Sequence, residues 1–182
     1  VPVGYLPFLT HPDWTVRRRS GFLTPSFIIS SDLGFTPSIP YYQIIDETSD
    51  VEFTTYKYQY RGLGVKSRYR KLWDRAELNA TLYTANVETY KKNRELVSAV
   101  DATYASRIGN GWSIKANLRR ASQDTFMRRY DFNDNTSLKS TVSATRTIDN
   151  RYYRVEASDR QSLLASGKTL NEPTILPSIF YE

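Results

Sequence analysis

Cysteine is absent from the 182 residues, and histidine and methionine occur once each. No apolar run approaches the roughly 18 residues of a membrane-spanning helix. Each absence excludes something. Without cysteine there is neither a disulfide framework nor a thiolate metal site. The single histidine, His11, sits in a polar stretch. No Ser–His–carboxylate set or metal-ligand spacing accompanies it, so no catalytic residue, metal or cofactor is assigned. The start carries no initiator Met, basic n-region or apolar h-region, which predicts that Val1 follows an internal cut in a longer protein. Helical periodicity is also missing from residue 20 onward.

The chain does carry a formal charge of +6 and 14 tyrosines, with a mean hydropathy of -0.54. A basic, aromatic composition suits a soluble β-protein that binds single-stranded nucleic acid. It equally suits a membrane barrel with aromatic girdles and a polar interior. The order of residues separates the two. Ala76, Leu78, Ala80 and Leu82 alternate with Glu77, Asn79, Thr81 and Tyr83. Trp112, Ile114, Ala116 and Leu118 alternate with Ser113, Lys115, Asn117 and Arg119. Leu138, Val142 and Ala144 oppose Lys139, Thr141, Ser143 and Thr145, and Tyr153, Val155 and Ala157 oppose Arg154, Glu156 and Ser158. Period two over so many segments predicts strands with one face in an apolar medium and one in a polar medium.

The connections are sorted by length. Those at 46–49, 73–75, 107–111 and 147–150 stay short. Those at 31–34, 61–64, 85–93, 122–135 and 161–171 lengthen along the chain. Short turns on one side and long loops on the other predict an antiparallel transmembrane β-barrel, here about ten strands of a larger one. Lys66, Arg68, Arg70, Lys115, Arg119 and Arg154 fall on the polar faces, with Glu77 and Glu156 as partial counterweights. Facing lipid, each would cost about 2–4 kcal/mol at the midplane, so they are assigned to the lumen. Tyr41, Tyr42, Tyr56, Tyr58 and Tyr60 lie near strand ends, where some are expected in girdles. Gly62 and Gly64, and Gly109 and Gly111, read as tight-turn glycines.

Residues 17–45 are the most unusual stretch. They read as two strands around a short turn, with Pro25 in the first strand and Pro37 and Pro40 in the second. Proline has no N–H to give a ladder, so adjacent strands that both carry it predict a seam, a place where the sheet is meant to open.

The runs VPVGYLPFL, HPDWTVRRRSGFLTPSF, SSDLGF and IPYY, with ASQDTFMRRYDF at 121–132 and PTILP at 173–177, resemble the start of the barrel of the LptD family. These are lipopolysaccharide-assembly outer-membrane proteins, also called organic solvent tolerance proteins. The resemblance is dense over 1–42 and patchy beyond. It implies that 1–16 end a periplasmic jelly-roll or its linker and that 17–182 begin the barrel. It implies transport of lipopolysaccharide to the outer leaflet of a Gram-negative outer membrane through a lateral opening at the first strand, without covalent chemistry. Pro25 and Pro40 match the family's seam prolines, and the basic lumen residues would meet the lipid's anionic head. The partners implied are lipopolysaccharide, the plug lipoprotein LptE, the periplasmic bridge protein LptA and the barrel-assembly machinery, with no nucleic acid. A diffusion porin would share the strand pattern but has no use for seam prolines.

Overall fold

The computed structural model describes residues 18–88, 94–130, 132, 135–163 and 175–181. Within them the chain runs through β1 (Gly21–Phe22), β2 (Ser26–Ser30), β3 (Gly34–Asp46), β4 (Ser49–Tyr58), β5 (Gly62–Trp73) and β6 (Ala76–Glu88). It continues with β7 (Arg94–Gly109), β8 (Trp112–Ala121), a helical turn α1 (Phe126–Arg129), β9 (Ser137–Ile148), β10 (Arg151–Ser162) and β11 (Ile175–Tyr181). The strands form one 11-stranded antiparallel sheet in chain order, with β1 and β2 both paired to β3. Its edges are β1/β2 and β11, and no pairing joins them among the described residues. The sheet is an arc of barrel wall. The expected linker, residues 1–16, lies outside the described residues.

The alternation seen in single strands lines up across the sheet. One cross-strand row runs Val51–Tyr69–Ala80–Ala102–Leu118. The row beside it runs Glu52–Arg68–Thr81–Asp101–Arg119. The first is apolar and the second polar throughout. Large side chains of the apolar face stay exposed: Leu82 at 46%, Leu118 at 48% and Val142 at 57%. A continuous apolar face of this extent, with no second layer on it, is what hydrocarbon covers in a membrane barrel. The opposite, inner face carries the charges, so a soluble nucleic-acid binder, with basic residues outermost, does not fit.

Two-residue turns at 47–48, 74–75, 110–111 and 149–150 close one end of the sheet, as the sequence predicts. Asn110 (φ 48) and Gly111 (φ 75) both take positive φ, the geometry of a hairpin turn whose twist matches its strands. A side chain at Gly111 would collide with the Thr147 carbonyl. Gly64 is a glycine for a different reason: a Cβ there would lie 2.7 Å from the Tyr58 ring.

The only apolar core among the described residues sits on the inner face at the long-loop end. Within the long connection expected at 122–135, Phe126–Arg129 form α1, which packs on the inner face. Phe126, Met127 and Tyr130 are buried there with Leu33, Tyr58, Ala85, Val97, Ala99, Leu138 and Leu163. Ring centroids lie 4.9 Å apart for Tyr58 and Tyr130, 5.2 Å for Phe126 and Tyr130, and 4.6 Å for Tyr83 and Phe132. Burying an aromatic of this size contributes about 1.5–3 kcal/mol, enough to hold a helical turn too short to persist alone.

One expectation is narrowed by this cap and another corrected. Of the five tyrosines near strand ends, Tyr56 and Tyr58 stack on each other, centroids 5.9 Å apart, beneath it. Leu138 does not share the outer face with Val142. The β8–β9 register stops at Asn117↔Thr141, and beyond it Leu138 is buried in the cap. Side chains replace the missing ladder: Ser140 Oγ accepts from the Arg119 N–H and donates to its carbonyl, both at 3.0 Å. The Gln161 amide bonds the Ala121 N–H and carbonyl in the same manner, at 2.9 and 2.8 Å.

Candidate lateral seam and inner wall

The first strand of the sequence reading is two strands in the structure. Gly21↔Tyr42 and Phe22↔Tyr41 pair in one register, and Ser26↔Ser38 to Ser30↔Gly34 pair in another, displaced by one residue. Residues 23–25, with Pro25 last, form the break. It is bridged by one backbone bond, from the Leu23 N–H to the Pro40 carbonyl at 2.9 Å.

That bond fixes the direction of Pro40. In an antiparallel strand the N–H and C=O of one residue point to the same side. The Pro40 carbonyl faces the first strand, so the N–H that proline lacks is missing on that side too. Its other neighbour loses nothing, and β3 pairs with β4 through Pro40↔Thr54 without a break. Pro37 has the opposite parity. Its missing donor faces β4, and the β3–β4 ladder begins one residue later, at Ser38↔Tyr56. Position alone therefore separates the two prolines: Pro40 thins the first-strand ladder and Pro37 ends the second. A Ser26 Oγ–Ser38 Oγ bond of 2.8 Å holds the hairpin beyond the break.

The six basic residues proposed for the lumen share the inner face, but they are not equally available. Arg70 Nε donates to Asp50 Oδ1 at 2.7 Å, and Arg119 Nε to Asp101 Oδ2 at 3.1 Å. Arg154 pairs with Glu156. Lys66, Arg68 and Lys115 make no ion pair among the described residues. The Lys66 ammonium lies 5.8 Å from the centre of the Tyr83 ring. A cavity of about 510 Å³ collects Lys115, Lys139 and Arg154 with Glu77 and Glu156. Lys139 belongs to this group although the sequence reading assigned it no role.

The sequence reading also missed the anions. Asp50 stands directly opposite Arg70, and Asp101 directly opposite Arg119. Only the register reveals these pairs, since the partners are 20 and 18 residues apart. Asp50 is 7% exposed and is the hub of a network at the short-turn end. Arg18 pairs with its Oδ2, and the Tyr42 hydroxyl donates to the same oxygen at 3.1 Å. Arg18 also donates to the Tyr42 hydroxyl, from Nη2 at 2.7 Å and from Nε at 3.0 Å, and to the Glu47 carbonyl at 3.0 Å. The hydrogen bond to Tyr42 leads in holding the Arg18 guanidinium protonated above its ordinary range. Arg18 thus ties the chain entering β1 to β3 and β4, and through Asp50 to β5, and Tyr42 is part of that clamp.

Among the described residues no group of three or more His, Cys, Asp or Glu is placed to hold a metal.

A family model described as LptD protein matches residues 1–179. The chain is 33% identical over 161 residues to the LPS-assembly protein LptD of Shewanella sp. (strain ANA-3), covering 85% of this chain and 19% of that protein. It is 28% identical over 184 residues to the LPS-assembly protein LptD of Pseudoalteromonas translucida (strain TAC 125), covering 99% and 24%. The protein of the same name from Nitrosospira multiformis is 26% identical over 179 residues, covering 95% and 18%. The chain thus spans about a fifth of the length of the curated relatives it matches.

Proposed function

Because the chain belongs to the LptD family, we propose that it forms the first part of an outer-membrane barrel that delivers lipopolysaccharide to the outer leaflet through an opening beside its first strand. The barrel passes a lipid and makes no covalent change to it. One observation carries the reading: the first strand is paired in two offset pieces, with a proline opposite the break whose absent N–H faces that strand. Each missing ladder bond forfeits about 0.5–1.5 kcal/mol. A backbone group stranded in lipid costs several kcal/mol, so a strand that must part from its neighbour needs few bonds to lose.

In this reading the short turns face the periplasm and the long loops the cell surface. Lys66, Arg68 and Lys115 meet the anionic groups of the cargo, and Arg70, Arg119 and Arg154 hold the wall together through their carboxylates. Residues 1–16 end the periplasmic part. The plug lipoprotein LptE, the bridge protein LptA and the barrel-assembly machinery are the partners this function requires.

The test is made in the intact protein with Pro25→Thr and Pro40→Thr together, following how fast newly made lipopolysaccharide reaches the cell surface. The expected result is slower arrival at an unchanged level of assembled barrel. Arrival at the ordinary rate would overturn the gating role of the two prolines.

A further inference from the structure

The cap on the inner face has a charged rim that the transport reading leaves unused. At the long-loop end a cavity of about 300 Å³ is lined by Asp32, Arg61, Thr125, Arg128 and Arg129. Three separate elements meet there: the turn between β2 and β3, the turn between β4 and β5, and α1 with the residue before it. The three arginines are spent on little. Arg61 Nε donates to the Asp32 carbonyl at 3.2 Å, and Arg128 Nη2 to the Leu163 carbonyl at 3.2 Å. Both acceptors are neutral. Among the described residues no carboxylate lies within ion-pair distance of any of the three guanidiniums.

The residues that follow or precede this lining in the chain belong to the cap's apolar core: Leu33, Phe126 and Tyr130 are 2%, 1% and 2% exposed. The Tyr130 hydroxyl is buried with no hydrogen-bond partner among the described residues. Burial raises its pKa, and the positive charges of Arg61 and Arg129 oppose that rise. Three cations beside a low-dielectric floor attract an anion more strongly than the same charges in open water. The guanidinium fork matches phosphate oxygens two at a time, and three forks exceed what one carboxylate can accept. The volume lies at the small end of ligand pockets, the size of one sugar ring with its substituent.

We propose that Arg61, Arg128 and Arg129 form a binding site for the phosphate group of a phosphorylated saccharide at the long-loop mouth of the barrel. The ligand class rests on the transport reading, while the anion site rests on the arginines alone. The bound phosphate joins the turn of the first hairpin, through Arg61 and its bond to the Asp32 carbonyl, to the cap, through Arg128 and Arg129 of α1. Cargo at the mouth is thereby coupled to the strand pair that carries the seam.

The test uses the intact protein purified in detergent and titrated with glucosamine 1-phosphate, with glucosamine and with inorganic phosphate, read by calorimetry. Expected are binding of the sugar phosphate, weaker binding of inorganic phosphate and none of glucosamine. Arg61→Gln, Arg128→Gln and Arg129→Gln together are expected to weaken the sugar phosphate about tenfold or more, the scale of losing charge-assisted bonds. Arg128→Lys, which keeps the charge and loses the fork, falls between. Circular dichroism and heat-modifiable gel mobility verify that each variant is folded. Equal affinity in the triple variant and the parent overturns the site. Inorganic phosphate binding as tightly as the sugar phosphate overturns the saccharide assignment. Binding is read without export, so its loss leaves the transport reading standing, and a failure of export leaves this site standing.

Discussion

Strands β6 and β7 pair from Ala76↔Ser106 to Glu88↔Arg94 in one unbroken register, and β8 joins them in register from Ala99↔Ala121 as far as Arg107↔Ser113. The first strand and β3 keep register for two residues, lose it over 23–25, and resume one residue out of step. Both regions obey the same alternation and both present apolar side chains outward: Leu82 and Leu118 in the wall, Phe22 and Ile29 at the seam. They differ in what the backbone can give. The wall has no proline, and its small outward residues, Ala80, Ala102 and Ala116, let the strands pair without interruption. The seam has prolines whose missing donors are aimed, by parity, at particular neighbours. A barrel wall becomes an opening by subtraction of backbone bonds, with the side-chain pattern left intact.

The contrast breaks most sharply if the wall is given a proline of its own. Ala102→Pro, between Ala80 and Leu118, removes a ladder bond where lipid offers no substitute, at a cost of several kcal/mol. Little or no barrel is expected to assemble, as scored by heat-modifiable gel mobility, and normal assembly would show that wall and seam tolerate proline alike. A charge on the outer face comes next. Leu118→Arg is expected to destabilise the barrel by about 2–4 kcal/mol in a denaturant titration in vesicles. Thr81→Arg, on the inner row, is expected to change the midpoint little, and equal losses in the two variants would reverse the assignment of faces.

Smaller effects belong to the seam's anchorage. Asp50→Asn removes the charge that Arg18 and Arg70 share, for a loss of about 1–3 kcal/mol confined to the short-turn end. Amide exchange should quicken at Ser20–Phe22 and stay unchanged in β6–β8; uniform quickening would mean that Arg18 serves the sheet as a whole. Pro40→Thr alone restores one donor toward the first strand and is expected to slow exchange there by the equivalent of about 0.5–1.5 kcal/mol. No slowing would show that the break at 23–25 is held open by something other than the missing N–H.

Much of this was legible in the chain before any coordinates. The alternating rows, the sorting of short and long connections and the position of the seam prolines all depend on local rules, namely two-residue periodicity, turn chemistry and proline's missing donor. What pairs with what was not legible. Asp50 and Asp101 gave no signal as partners of Arg70 and Arg119, because a one-residue slip of register would have sent each to the other face. The cap was hidden for a related reason. ASQDTFMRRYDF has no sustained helical period, and α1 exists only because the inner face of β4 to β7 offers Tyr58, Tyr83 and Val97 for Phe126, Tyr130 and Phe132 to pack against.

Taken alone, the order of residues determined that this protein is a sheet with one oily and one wet face, thinned at its first strand. Such properties are decided by neighbours along the chain, within a strand or a turn. Tertiary structure alone decided which lysines and arginines remain unpaired, which tyrosines turn inward and which three arginines meet at the mouth. Those depend on strand register and on a loop folding back across the sheet, and distances between residues remote in sequence are set only when the sheet has formed.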